Sequence, residues 1–167
     1  MKAKDIYSFS ENIFKLLDKD SALLTAGNLD SFNAMTISWA SIGSLWRRNI
    51  ITVYVRPSRF TFQFIAKQPY FTVSFFPENY QDKLTYLGTH SGREEDKIKK
   101  CNLTPIPAKN NAVTYSEARL TFVCKKLYEY DLNPEQIPET IRNRFYLQKD
   151  YHRVFVGEIV QFLEENE

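Results

Sequence analysis

The stretch Ile50-Ile-Thr-Val-Tyr-Val-Arg-Pro-Ser-Arg-Phe-Thr61 decides the fold class. Its first six residues are dominated by β-branched side chains, which suit a pleated, half-buried surface and lose rotamer freedom in a helix. Arg56-Pro57 closes the strand, because proline has no N–H to give to a ladder. Ser58 then opens a helical pattern through Phe60, Phe62, Phe64 and Ile65, which stops before Pro69.

Outward from that stretch the pattern repeats. Toward the C-terminus, Phe71–Phe76 reads as a strand ended by Pro77, and Glu78–Leu87 as a helix with Gly88 as its C-cap. His90–Lys100 is charged, with Ser91-Gly92-Arg93 leading into a short helix, and Leu103–Asn111 reads as loop. Arg119–Tyr130 is the longest strand candidate. A polar excursion over Asp131–Asn143 holds one helical turn, and Arg153–Phe162 is the last strand. Toward the N-terminus, Leu45–Arg48 is a connection and Phe32–Ser41 alternates as a single strand. Ala22–Gly27 is another strand, and Ser10–Leu17 is helical. About six strands with short helices between them predict a mainly β, Greek-key, closed or partly closed barrel.

Composition narrows the class further. A chain of 167 residues is the length of one domain and buries a core without disulfides or metal staples, so residues 1–167 read as one unit. Aromatics make up 15%, including 13 Phe and 10 Tyr, which again favours a β-rich fold. The net charge of +2 gives no bulk pull toward nucleic acid or acidic lipid. Arg47-Arg48 and Lys97, Lys99 and Lys100 are basic, but no nucleic-acid-binding motif accompanies them. No apolar run has the length of a membrane span or signal peptide, and Cys101 and Cys124 form no framework, so a reducing, cytoplasmic location is expected.

Chemistry-bearing motifs are few. Two histidines, His90 and His152, far apart in sequence, give no metal spacing, and there is no GxSxG, P-loop or GxGxxG. Cys124 sits on an apolar strand and reads as a buried small hydrophobe. Arg56-Pro57-Ser58-Arg59-Phe60-Thr61 sets two arginines and two hydroxyls at a strand-to-helix junction, where free N–H groups and the helix dipole suit a phosphate. The alternative is an ordinary Ser58 N-cap with solvated arginines. Along Asn33–Trp39, strand alternation puts Asn33, Met35, Ile37 and Trp39 on one face and Ala34, Thr36 and Ser38 on the other. The second face offers a flat ligand small hydroxyls, or is simply half-buried. Ser91-Gly92-Arg93 with Asp96-Lys97 is either an anion-contacting loop or a solvated one.

The order of these segments, completed by Asp150–Glu158 with His152 ahead of Gly157-Glu158, resembles the flavin reductase-like family, and within it the flavoredoxin branch of FMN-binding split barrels. The resemblance spans about Ala22 to Val160. It implies a split β-barrel that forms a homodimer and binds FMN at the subunit interface. It places Asn33, Met35, Thr36, Ser38 and Trp39 along the flavin ring and ribityl chain, and Arg56, Arg59 and Thr61 at its phosphate. Ser91 and Lys97 approach from the glycine loop, and His152 lies near the flavin or the nicotinamide as the catalytic candidate, or else serves the barrel structurally. Arg47-Arg48 departs from the turn common in the family. The implied activity is hydride transfer from NADH or NADPH to flavin N5, the alternative being a non-enzymatic electron carrier with bound FMN.

Overall fold

The computed structural model describes residues 1–165. Its strands are β1 (Lys2–Lys4), β2 (Ala22–Asn28), β3 (Ser31–Ile37), β4 (Ala40–Leu45), β5 (Arg48–Val55), β6 (Tyr70–Phe75), β7 (Pro105–Pro107), β8 (Val113–Tyr115), β9 (Leu120–Asp131) and β10 (Arg153–Glu164). The helices are α1 (Ile13–Asp18), α2 (Phe60–Lys67), α3 (Gln81–Thr89), α4 (Lys97–Lys100) and α5 (Glu139–Phe145).

One antiparallel sheet runs in the order β3-β2-β6-β9-β10-β5-β4, and β1 pairs with the far end of β10. β10 reaches so many partners because it is long and bulged: register shifts at Val156/Gly157 and Ile159/Gln161 bend it. Phe71, Phe75, Phe122, Phe155 and Phe162 fill the space the curved sheet encloses. This is where the aromatic content of the chain goes.

The sheet does not close: among the described residues no ladder joins β3 to β4, the two ends of its path. These two strands are instead consecutive in the chain, linked only by Ser38 and Trp39. The single strand expected over Phe32–Ser41 is therefore two strands on opposite edges of the split. Hydrophobic alternation continues across that link, so periodicity alone does not register the break.

Three other expectations change. Leu103–Asn111, expected to be loop, supplies β7, which pairs with β8 as a separate hairpin. The polar excursion holds α5. Gly88 is not a C-cap but lies inside α3, which runs on to Thr89. A Cβ there would stand 3.2 Å from the Thr36 side chain, so the glycine lets α3 lie close against β3.

Candidate functional site

The candidate residues gather in two cavities that share Met35. The first, about 180 Å3, lies between the start of α2, the end of α3 and the loop before α4, and Asn33, Met35, Arg59, Thr61, Ser91 and Lys97 line it. The second, about 240 Å3, opens at the split and is lined by Met35, Thr36, Ser38, Trp39, Arg56 and His152, together with Ile37 and Tyr54.

The first cavity is cationic. Arg59 occupies the N-cap position of α2, and among the described residues no side chain caps that helix, leaving its first two N–H groups, those of Phe60 and Thr61, to whatever enters. The Arg59 guanidinium donates to the carbonyl of Gly88, and Lys97 Nζ donates to Leu87 O at 2.7 Å and His90 O at 3.0 Å. Both cations thus serve carbonyls at the C-terminal end of α3, where a helix carries partial negative charge. Lys97 is buried, and burial together with the neighbouring Arg59 charge pushes its pKa down to about 8. Among the described residues no carboxylate lines this cavity. Its charge balance calls for an anion.

Hydroxyl and amide groups complete it. Asn33 Nδ2 donates to Thr61 Oγ1 at 2.7 Å, so the Thr61 proton remains available to an acceptor. Gly92 packs so tightly that a Cβ would come within 2.2 Å of Asn33 Oδ1. Here glycine makes the loop's close approach possible. Arg93, on the same loop, lies over the Phe60 ring at 5.0 Å and donates to Ser58 O at 3.2 Å. Arg93, part of the loop read from sequence as anion-contacting or solvated, and His90 both line the cavity, although neither was among the residues assigned to the ligand. The charged loop around Arg93 was the available signal, but nothing in the sequence says which of its cations turn inward.

Arg56, expected beside the phosphate, lies in the other cavity. Its guanidinium donates to Asp150 O at 2.9 Å and Phe145 O at 2.8 Å and sits over the Tyr146 ring. It fastens the segment after α5 to β5. Ser58 is not the N-cap; its hydroxyl donates to Asp150 Oδ2.

The second cavity has flat walls. Trp39, 43% exposed, packs edge-on against Phe145 and lies 5.0 Å from the His152 ring. His152 is buried and shares a 2.8 Å hydrogen bond between Nδ1 and the Tyr146 hydroxyl. Burial, and then the nearby Arg56 charge, push the His152 pKa down to about 4, so the ring is neutral at physiological pH. Thr36 gives its hydroxyl proton to Leu84 O at 2.6 Å and offers the cavity only lone pairs. Ser38 and Ser21 share a hydrogen bond of 3.0 Å.

Comparison with known proteins agrees with this architecture. Residues 17–167 match the model of the flavin reductase like domain, and the chain belongs to that family. Among curated proteins none matches the sequence significantly. The fold is similar to that of an FMN-binding protein from Thermus thermophilus solved with p-hydroxybenzaldehyde, with a TM-score of 0.71 and 21% identity over 99% of this chain and 83% of that one. The flavoredoxin of Desulfovibrio vulgaris (Miyazaki F) gives a TM-score of 0.69 and 23% identity over 99% and 78%. An NADH:FAD oxidoreductase from Streptomyces globisporus gives 0.66 and 16% over 87% and 74%. No helix among the described residues is long and apolar enough to cross a membrane.

Proposed function

We propose that this chain is an FMN-binding oxidoreductase that takes hydride from NADH or NADPH, working in the cytoplasm as a homodimer with the flavin at the subunit interface. One observation carries the reading: a cavity lined by cations and, among the described residues, by no carboxylate adjoins, through Met35, a flat-walled cavity at the split of the barrel. A phosphate at one end and a ring system at the other is the shape of a flavin mononucleotide. The donor set suits it, since Arg59, Lys97, the Thr61 hydroxyl and the uncapped N–H groups of α2 are all donors.

A bound flavin supplies the hydride acceptor at its N5. The protein's part is to bind, orient and screen. Arg59 and Lys97 hold the phosphate, with Ser91 at the same cavity. Asn33 fixes the Thr61 oxygen so that its proton points to an acceptor other than Asn33. Trp39, Thr36 and Ser38 border the ring, and neutral His152, held by Tyr146, offers a hydrogen bond there without adding charge. Trp39 and Phe145, packed edge-on and 43% and 37% exposed, leave apolar surface at the ring cavity that a second copy would cover.

Steady-state oxidation of NADH and NADPH by the pure protein with FMN tests the reading. Consumption of either nicotinamide supports a reductase. Flavin binding without consumption of either leaves the second reading, an electron carrier of the kind named by the flavoredoxin neighbour.

A further inference from the structure

His152 uses one of its two ring nitrogens and leaves the other free. Nδ1 shares the 2.8 Å hydrogen bond with the Tyr146 hydroxyl, whereas Nε2 has no hydrogen-bond partner among the described residues. No buried side-chain nitrogen or oxygen among those residues lacks a partner, so Nε2 is not sealed in the core. The hollow that His152 lines is the ring cavity, and Nε2 is the polar atom it has left to offer there.

What Nε2 offers depends on Tyr146. A neutral imidazole carries one N–H, and the hydrogen bond at one nitrogen decides whether the other holds the proton. With the proton on Nδ1, that nitrogen would donate to the phenol oxygen, and the phenol proton would need an acceptor of its own. Tyr146 is only 6% exposed, and its hydroxyl has no second partner among the described residues. A buried donor without an acceptor is costly, so the arrangement that satisfies both groups has the phenol donating to Nδ1. Burial also raises the pKa of the phenol, which keeps its proton. The pair is held from several sides. Arg56 sits 5.0 Å from the centre of the Tyr146 ring, Tyr151 stacks on that ring at 4.9 Å, and Leu132 N donates to His152 O at 3.1 Å.

We propose that Tyr146 is a positioning residue: its hydroxyl fixes the His152 proton on Nε2 and so turns a hydrogen-bond donor toward the ring cavity, to meet a carbonyl oxygen or unprotonated nitrogen on the edge of the bound ring. The choice of ligand rests on the flavin reading of that cavity; the choice of tautomer does not.

Nitrogen-15 NMR of the full chain without ligand tests the tautomer, with His90→Gln to tell the two histidines apart. At pH 7 Nδ1 of His152 is expected to resonate as an unprotonated, hydrogen-bonded nitrogen and Nε2 as a protonated one. Tyr146→Phe should move both signals toward the averaged values of exchanging tautomers. It should also weaken riboflavin, which carries the ring without the phosphate, by about tenfold, the scale of one hydrogen bond. A protonated Nδ1 in the unaltered protein overturns the proposal. So does a Tyr146→Phe protein that melts earlier with its nitrogen signals unmoved, since Tyr146 then only packs. Unchanged riboflavin affinity despite moved signals overturns the role given to the donor. Failure of the unaltered protein to bind riboflavin or FMN removes the flavin reading instead, and the signals of the ligand-free chain distinguish that result from a wrong tautomer.

Discussion

Arg59 and Lys97 converge on one helix end: the guanidinium donates to Gly88 O and the ammonium to Leu87 O, two consecutive carbonyls of α3. Two like charges so placed repel each other, and the lowered pKa of Lys97 records part of that cost. A helix C-terminus offsets some of it, and a dianionic phosphate in the cavity beside them offsets more.

Arg59→Ala should weaken FMN binding by about 1.5–3 kcal/mol, the scale of a lost charge-assisted hydrogen bond. Isothermal titration reads the change directly. Unchanged affinity would take Arg59 out of the site.

Lys97 gives the site a pH dependence. In the free protein it loses its proton near pH 8, whereas an adjacent phosphate favours the charged form and raises its pKa. FMN affinity should therefore be full below pH 8 and fall as pH rises above it, by up to about tenfold per unit. Titrations across pH 7 to 10 check this, and Lys97→Met should flatten the profile.

His152 titrates on the acid side. Its folded pKa of about 4 lies below the ordinary 6.5, so as pH falls through that window the unfolded chain takes a proton the folded one refuses. Stability is thus intact above pH 6.5 and is lost on the way down toward pH 4, by about 2–3 kcal/mol from this residue. Urea unfolding at pH 7 and pH 4.5 should show His152→Gln losing less stability than the parent over the same interval.

Gly92→Ala places a Cβ against Asn33, which is buried and bonded to Thr61. The loop has to lift, at a cost of about 1–3 kcal/mol, and FMN affinity should fall along with the melting temperature. Thermal unfolding without ligand, followed by FMN titration, separates the two effects.

Much of the fold was legible because local signals agreed with it. Ile50–Val55 is β-branched, Pro57, Pro69 and Pro77 punctuate the elements, and Phe71–Phe76 has no helical alternative. The errors fall where tertiary contact decides. Ser38-Trp39 looks like mid-strand because alternation does not record which edge a strand pairs with. Gly88 resembles a cap, but its role is to let α3 approach Thr36. β7 carries two prolines and still pairs, as proline can on the edge of a two-stranded hairpin.

The site was legible as a set of residues rather than as an arrangement. The strand-to-helix junction marked the α2 N-terminus but left Ser58 open as its cap. It did not show that Arg59 turns to α3 while Arg56, three residues earlier, turns to the segment after α5. Nor does any spacing reveal that His152 meets Tyr146. That partnership depends on the chain doubling back between α5 and β10.

The visible absorption spectrum of the purified protein, mixed with FMN and then desalted, tests the central claim most directly. The account predicts a flavin band that stays with the protein, shifted from that of free FMN. A colourless protein after desalting, with no perturbation of FMN in the mixture beforehand, would contradict it.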